Sequence, residues 1–213
     1  MARPKKNTDT TEARQRICDA LWELLETHEL RDVTVGMITA KADCNRGTFY
    51  YHFKGIDELL GEMIANDIMQ KQLVADFIFR LSTGDEAAVR DMLNGNLVHR
   101  LSIIVNHAGI ELAFGKIFEL LIDIWSSLLC SEGEKLKPEA QAIVLYYIGG
   151  ILSLVAACPH EHMKNTQASE GILRFVLENA RFVTNQIYTA QGLTEEIASE
   201  RLKTVVQFLD SVN

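Results

Sequence analysis

The chain has 213 residues, 47% hydrophobic and 23% charged, a balance typical of a soluble globular protein with one or two domains. Its formal net charge of −8 argues, taken alone, against a nucleic-acid partner. The charge is uneven, however, because residues 1–55 carry 9 Lys and Arg against 8 Asp and Glu, while the remainder carries 12 against 21. A basic stripe on one face matters more than net charge, so DNA binding stays open.

Cysteine usage and hydropathy indicate a cytoplasmic protein. Cys18, Cys44, Cys130 and Cys158 are dispersed and form no CxxC pair, which is typical of reduced thiols. The polar N-terminus does not resemble a signal peptide. The longest apolar run, residues 142–157, is shorter than the roughly 20 residues that span a bilayer. We therefore predict a buried helix there and no membrane partner.

The first elements in chain order are a basic arm and a helix. Residues 1–10 are predicted to form a mobile arm that carries Arg3, Lys5 and Lys6. Such an arm can enter a minor groove, or it can be a disordered, solubilising tail. Thr11 is placed to cap the first helix through its hydroxyl group.

Two short helices with a tight turn between them follow. Thr34 can cap the second helix, and Asn45 can cap the third. Three residues form one apolar stripe on the second helix: Val35, Ile38 and Ala42. The third helix contains Arg46-Gly-Thr-Phe-Tyr-Tyr-His-Phe53. A helix, a short turn and a second short helix with polar and aromatic side chains form the pattern that reads a DNA major groove.

The chemistry of the third helix fits DNA. We expect Arg46 and Tyr51 to contact bases, and Phe49 and Phe53 to face the core. The alternative is an amphipathic core helix with surplus aromatics, but Gly beside Arg at a helix start is poor core material. The predicted DNA-binding residues are Arg3, Lys5, Lys6, Arg14, Thr34, Asn45, Arg46, Gly47, Thr48, Tyr50, Tyr51, His52 and Lys54.

The rest of the chain also reads as helices, and no alternating β-branched run predicts a strand. A fourth helix is predicted to run without interruption from Asp57 to about Leu81. Gly109 is a stop signal, and Pro138 fits the first turn of a later helix. The remaining helices are predicted at about 85–106, 110–130 (in one or two pieces), 138–158, 169–191 and from Thr194 onward.

From Ala13 to Leu59 the chain resembles the DNA-binding domain of TetR-family transcriptional regulators. The matching residues are Arg14, Ile17, Ala20, Leu21, Val33, Thr34, Val35, Ile38, Thr39, Ala40, Ala42, Gly47 to Phe53, and Asp57 to Leu59. The chain departs from the family pattern at Glu29-Leu30, where Gly and an aromatic are usual. It also departs at Asp43, in place of a turn Gly, and at Ile56, in place of a Lys that contacts phosphate.

The resemblance implies an all-α fold of about ten helices. A helix-turn-helix DNA-binding domain would occupy residues 1–55, and a helical effector-binding and dimerisation domain residues 56–213. Family members dimerise through a pair of core helices, and Gly149-Gly150 could let a crossing helix approach closely. The expected interface residues are Tyr147, Gly149, Gly150, Phe175, Phe182 and Ile187. The alternative is that these helices form only intrachain core, and the helix after Gly192 leaves the dimerising pair open.

A ligand site is expected between the DNA-binding domain and the dimer helices, because a concave apolar pocket with a few polar groups is the usual form. The candidates are Phe77, His99, Asn106, His107, Glu111, Phe114, Phe118, Ile122, Trp125, Tyr146 and Tyr147. For any one of them, ordinary core packing is the alternative.

The functional hypothesis is a cytoplasmic, homodimeric transcriptional regulator. It would be a repressor whose binding to operator DNA is relieved by a small apolar or amphipathic ligand. The alternative is a DNA-binding regulator with no effector that acts with protein partners. No nucleophile–base spacing, phosphate loop or carboxylate pair indicates an enzyme. Cys158-Pro-His-Glu-His162 lacks a zinc-site spacing, so we predict a solvated loop and no metal or cofactor.

Overall fold

The segments predicted to be helical form helices in the part of the chain that the structure describes. The computed structural model describes the backbone of residues 6–94, 96–157 and 166–211. The helices are α1 (Lys6–Leu25), α2 (Val35–Lys41), α3 (Arg46–His52), α4 (Ile56–Met63), α5 (Lys71–Thr83), α6 (Glu86–Asn94), α7 (Asn96–Ile103), α8 (Ile110–Leu129), α9 (Pro138–Ala157), α10 (Thr166–Gln191) and α11 (Glu195–Ser211). The all-α prediction is confirmed for these residues, which contain no strand.

Residues 6–55, called the head, contain a closely packed group of buried side chains that continues into the core of the rest of the chain. Helices α1, α2 and α3 pack against one another around side chains that are fully buried. These are Ile17, Leu21, Leu25, Ile38 and Phe49. Phe53 is buried with them, so the prediction that both phenylalanines of the third helix face inward is confirmed.

Side-chain caps set the two helices of the turn motif. The Met37 N–H donates to the Thr34 hydroxyl at 3.2 Å, and the Thr48 N–H donates to the Asn45 amide oxygen at 2.9 Å. Both predicted caps are confirmed. Between them Asp43 has φ of 48°, the left-handed region in which most side chains are strained. This is the position at which the family pattern has Gly.

Two predicted boundaries in the first half of the chain were wrong. Helix α1 begins at Lys6, so Thr11 lies inside it rather than at its cap, and residues 6–10 are helical rather than part of an arm. The fourth helix is not continuous either. It ends at Met63, passes into the π-helical segment Ile64–Ile68, and breaks at Met69 before α5 begins.

The part of residues 56–211 that the structure describes, called the body, contains the remaining eight helices. A second π-helical segment, Ile104–Ala108, extends α7 and ends at Gly109, whose φ is 98°. Helices α9 and α10 pack along each other, and α8 packs against α9. The last helix lies on α5 and α8, where Ala198 and Leu202 are fully buried. It therefore closes the body on the side away from α9.

The predicted helix around the long apolar run is present, but the prediction that it is buried was wrong for the single chain. Helix α9 has 20 residues, its mean hydropathy reaches 1.8, and only 22% of that apolar stretch is buried. By length and composition alone it could cross a bilayer, although one such helix is weak evidence. A helix that is apolar on all sides is normally covered on all sides. One side of α9 is not covered within the single chain.

Candidate functional site

Helix α3 turns its polar and aromatic side chains away from the head core. Tyr50 is 58% exposed and Tyr51 is 76% exposed, while the neighbouring Phe49 is fully buried. Arg46 begins the helix and is also exposed. These outward-facing residues form a protruding polar and aromatic surface, called the recognition face: Arg46, Gly47, Thr48, Tyr50, Tyr51 and His52.

Two glycines shape the recognition face. A Cβ at Gly36 would lie 3.4 Å from an Arg46 guanidinium nitrogen, so Gly36 leaves room for Arg46 to lie across α2. A Cβ at Gly47 would lie 3.0 Å from the Asn45 cap oxygen. Gly36 was not among the predicted site residues. Its smallness beside an exposed arginine is visible only once α2 and α3 are packed together.

Beside the recognition face a polar cleft of about 560 Å³ separates α1 from α3. Arg16 lies on its α1 side, with its Nε donating to the Ala42 carbonyl at 3.2 Å. Arg16 is a cation that the sequence reasoning missed. The signal for it was weak, because α1 carries several charged residues on its exposed turns.

The remaining predicted DNA-binding cations fall into three groups. Lys54 is exposed just after α3, and its backbone N–H donates to the Glu58 carboxylate. Arg14 instead points to the body, where it forms a bidentate ion pair with Glu62, and it lies 4.9 Å over the Phe53 ring. Arg3 and Lys5, and the side chain of Lys6, lie outside the described residues.

His52 differs electrostatically from the other groups of the recognition face. Its partial burial, helped by the nearby Arg14 guanidinium, holds its pKa below the usual 6.5. The imidazole is therefore neutral near pH 7, with one ring N–H to donate.

The head and the body meet through a set of paired charged groups. The Trp22 indole N–H donates to the Asp67 Oδ2 atom at 2.6 Å, and the Arg100 guanidinium lies 3.5 Å from the same oxygen. Arg100 also stacks over the Trp22 ring at 5.1 Å, a cation–π distance. A residue of α1, one of the π-helical segment and one of α7 are thereby joined at a single point.

Two histidines of the body also reach the head. The His99 Nε2 atom lies 3.0 Å from the Glu26 carboxylate, and the His107 Nδ1 atom lies 3.9 Å from that of Glu29. Both were expected among the ligand-orienting residues, and the structure places them at the junction instead. Sequence spacing cannot show such pairs, since the partners are more than 70 residues apart.

The body contains a partly open apolar cavity with two adjoining chambers, which share lining residues. The larger chamber, of about 380 Å³, is lined by Asp67 and by residues of α5, α7, α8 and α9. The smaller chamber, of about 190 Å³, continues between α5, α8, α9 and α10. Six residues line both chambers: Val74, Phe77, Leu121, Ile148, Ile151 and Val176.

Only part of the predicted ligand site lies at this cavity. Phe77 lines both chambers, and Trp125 and Tyr147 line the smaller one. Asn106 donates to the Ser102 carbonyl, and Glu111 is exposed in the first turn of α8. Four other candidates also line neither chamber: Phe114, Phe118, Ile122 and Tyr146. The cavity-lining Asp67, Asn179 and Thr184 were missed, because nothing in their local sequence separates them from ordinary helix positions.

The predicted interface residues divide between an inner and an outer side of α9 and α10. Tyr147 and Ile187 line the smaller chamber, and a Cβ at Gly149 would lie 3.4 Å from the Phe114 ring of the same chain. Gly150 is exposed, with nothing within 4 Å of its Cβ position. The exposed apolar surface of the two helices, called the outer face, comprises Leu145, Tyr146, Gly150, Leu154, Phe175 and Phe182.

No metal site is found within the described residues. They contain no group of three or more His, Cys, Asp and Glu side chains placed to hold a metal ion. The segment from Cys158 to His162 lies outside the described residues. Burial raises the pKa of the Cys18 thiol to about 12, so that thiol is protonated near neutral pH.

Comparisons with known proteins agree with this geometry at the head. The family model described as "Bacterial regulatory proteins, tetR family" matches residues 17–63. The HTH-type transcriptional regulator SrpR of Pseudomonas putida is 39% identical over 77 residues, which are 36% of this chain and 35% of SrpR. The uncharacterized HTH-type transcriptional regulator TtgW, also of Pseudomonas putida, is 39% identical over 77 residues, which are 36% of this chain and 55% of TtgW.

The chain thus matches between about a third and about half of the length of these curated relatives. The matched family segment contains α2, α3 and α4, together with part of α1. The caps, the buried phenylalanines and the left-handed turn all lie within it. Over this segment the chain is similar to the TetR family of bacterial regulatory proteins.

Proposed function

We propose that this chain is a homodimeric transcriptional repressor whose binding to operator DNA is relieved by a small apolar or amphipathic ligand. One observation carries the proposal. Asp67 both lines the body cavity and accepts the hydrogen bond from the Trp22 indole of the head. A molecule that enters the cavity therefore touches the residue that holds the head in place.

The DNA part of the proposal rests on the recognition face. Arg46 and Tyr51 are exposed on α3 and would reach base edges in the major groove. Thr34, Tyr50, His52 and Lys54 surround them and would hold phosphates, which fix register without reading sequence. Arg14 is excluded from the proposed contacts, since Glu62 already occupies its guanidinium.

The test begins by selecting binding sites from a random duplex library with the purified protein. Arg46→Ala should relax specificity at one position of each half-site and cost about 1–3 kcal/mol there. Lys54→Ala should weaken all sequences alike and flatten the salt dependence of binding. Arg31→Ala is the matched control, because Arg31 is an exposed arginine on the 3-10 turn outside the helix-turn-helix. Equal binding by wild type, Arg46→Ala and Lys54→Ala would overturn the assignment.

The dimer part rests on the outer face. Tyr146 is 77% exposed and Phe182 is 56% exposed, on two helices that pack along each other. Soluble proteins seldom leave so continuous an apolar surface open, and large patches mark interaction sites. We infer that a second copy of the chain covers it, forming a four-helix bundle. Two heads would then reach successive major grooves, about 34–36 Å apart or a multiple of that distance.

Gly150→Glu tests the dimer, because it places an unpaired carboxylate in the middle of the outer face. We expect a monomer in sedimentation without detergent, together with loss of tight operator binding. Gly115→Glu is the matched control. Gly115 is an exposed glycine of α8 with nothing within 4 Å of its Cβ position. A stable Gly150→Glu dimer, or a wild-type chain that needs detergent or lipid to stay in solution, would contradict this interface.

The ligand part requires a molecule that prefers the DNA-incompetent state, since equal affinity for both states shifts nothing. Val176→Phe would fill space shared by the two chambers. It should leave operator binding intact while making it unresponsive to ligand. If no compound that binds the cavity changes operator affinity, the effector role is wrong. A regulator that acts with protein partners would then be the better description.

A further inference from the structure

The two chambers of the cavity carry a single charge among their described lining residues. Asp67 is one of the lining residues of the larger chamber, together with its chain neighbours Ile68 and Met69. All the other described side chains that line either chamber are apolar or uncharged. A ligand in this cavity would therefore meet apolar side chains over most of its surface and a carboxylate at one point.

The cation that accompanies Asp67 is not among the residues that line the cavity. Arg100 is not a lining residue of either chamber, and it stacks over the Trp22 ring. Both the Trp22 indole and the Arg100 guanidinium approach the Oδ2 atom, at 2.6 and 3.5 Å. The Arg100 contact is longer than a good charge-assisted hydrogen bond, which is about 2.7–2.9 Å. The Arg100 guanidinium therefore pairs the negative charge of Asp67 only loosely.

The side chain of Asp67 is only 20% exposed, so bulk water screens it less than a surface carboxylate. Within the body's apolar cavity, an ammonium group placed at this carboxylate gains a charge-assisted hydrogen bond. A ligand carboxylate at the same place would be repelled. A neutral hydroxyl head group could donate a hydrogen bond to the carboxylate but would lack the attraction between opposite charges.

We propose that the cavity selects amphipathic cations, with an apolar body along the chambers and one protonated amine at Asp67. This inference rests on the proposed ligand response and names the ligand's chemical class. The ammonium competes with Trp22 and Arg100 for one carboxylate. Ligand selection and release of the head therefore occur at the same residue.

The test uses three probes with one chain and different heads: decylammonium, decanol and decanoate, each below its micellar concentration. Calorimetric titration of the full-length protein near pH 7 should show decylammonium binding about tenfold or more tightly than decanol, and decanoate most weakly. Asp67→Asn keeps the side chain's size and removes its charge. It should bring decylammonium down to the affinity of decanol.

Arg100→Gln provides a change of opposite sign. It removes the competing cation, so decylammonium should bind severalfold more tightly while decanol stays unchanged. Asp123→Asn is the control for removing one carboxylate, since Asp123 is exposed on α8 and lines neither chamber. A protein damaged only in its folding would lose affinity for all three probes together.

A spectroscopic readout locates the head group. The chain has two tryptophans, so Trp125→Phe leaves only Trp22 to report. Decylammonium should change the Trp22 emission by weakening its hydrogen bond to Asp67, and decanol should leave the emission unchanged. Equal affinity for the three heads, or no effect of Asp67→Asn, would overturn the selectivity while leaving a ligand-binding cavity. Failure of all three probes to bind would overturn the effector role itself.

Discussion

The head and the body differ in how completely their side chains are packed. In the head, Ile17, Leu21, Leu25, Ile38 and Phe49 are fully buried around one centre. The body uses more helices but leaves two chambers open within and the outer face uncovered outside. A close-packed unit transmits force and keeps its shape, whereas a hollow one can be filled or covered. The recognition face is thus carried by the head, which is the more completely packed of the two units.

The largest effect should come from a cavity-creating change in the closed unit. Phe49→Ala should cost about 3–5 kcal/mol of unfolding free energy, because its ring is wholly enclosed. Phe77→Ala removes the same atoms from a ring that already borders open space, so it should cost clearly less. Urea unfolding of both variants measures the difference. Equal losses would show that the body is as tightly packed as the head.

Adding atoms to a buried side chain should distinguish the head from the body nearly as well as removing them. Val33→Phe forces extra atoms into the buried head and should cost about 1–3 kcal/mol. Val176→Phe adds the same atoms where two chambers meet, so we expect little loss or a slight gain. Thermal melts of the two variants, each compared with wild type, provide the check. A large loss for Val176→Phe would mean that the chambers cannot accept a ring.

A smaller, pH-dependent effect should belong to the head. The pKa of His52 is lowered in the folded chain, so on acidification the unfolded chain takes up the proton first. Stability should therefore fall as the pH drops below about 6.5 toward the lowered pKa. His52→Gln should remove part of that fall in urea midpoints measured across this range. His28→Gln, at an exposed histidine of the same unit, is the control. If His52→Gln keeps the wild-type pH profile, the fall has another origin.

The smallest effect should come from the turn between α2 and α3. Asp43 adopts φ of 48°, which glycine enters without steric cost. Asp43→Gly should therefore stabilise the head by no more than about 1 kcal/mol, because the added freedom of the unfolded chain offsets part of the gain. Differential scanning calorimetry should detect a small rise in the melting temperature. A fall would mean that the Asp43 side chain contributes more than its backbone strain costs.

The same contrast decides what could be predicted from the sequence. The caps Thr34 and Asn45, the inward phenylalanines and the exposed tyrosines all follow from local spacing within α2 and α3. The break at Met69 was missed because Leu, Ile and Met continue at helical spacing across it. Helix propensity cannot distinguish a straight helix from one with a π-helical insertion.

The cavity was only partly predictable for a different reason. Phe77 and Phe114 are alike in sequence, yet Phe77 lines both chambers while Phe114 packs over Gly149. Which aromatic borders empty space depends on how the helices cross. His99 and His107 likewise pair with Glu26 and Glu29 of the head, and no local sequence pattern predicts these contacts. Packing between distant segments of the chain determines which aromatic residues border the cavity and which histidines contact the head.

The π-helical segment Ile64–Ile68 also bears on how the length of this chain can vary. A π turn holds one residue more than an α turn, so deleting one residue there would leave an ordinary helix. The chain beyond the deletion would turn by about 100° relative to the helix before it. Asp67 could then no longer meet both Trp22 and the cavity. Insertions and deletions in descendants of this sequence should accordingly spare these five residues and gather in loops such as residues 131–137 between α8 and α9.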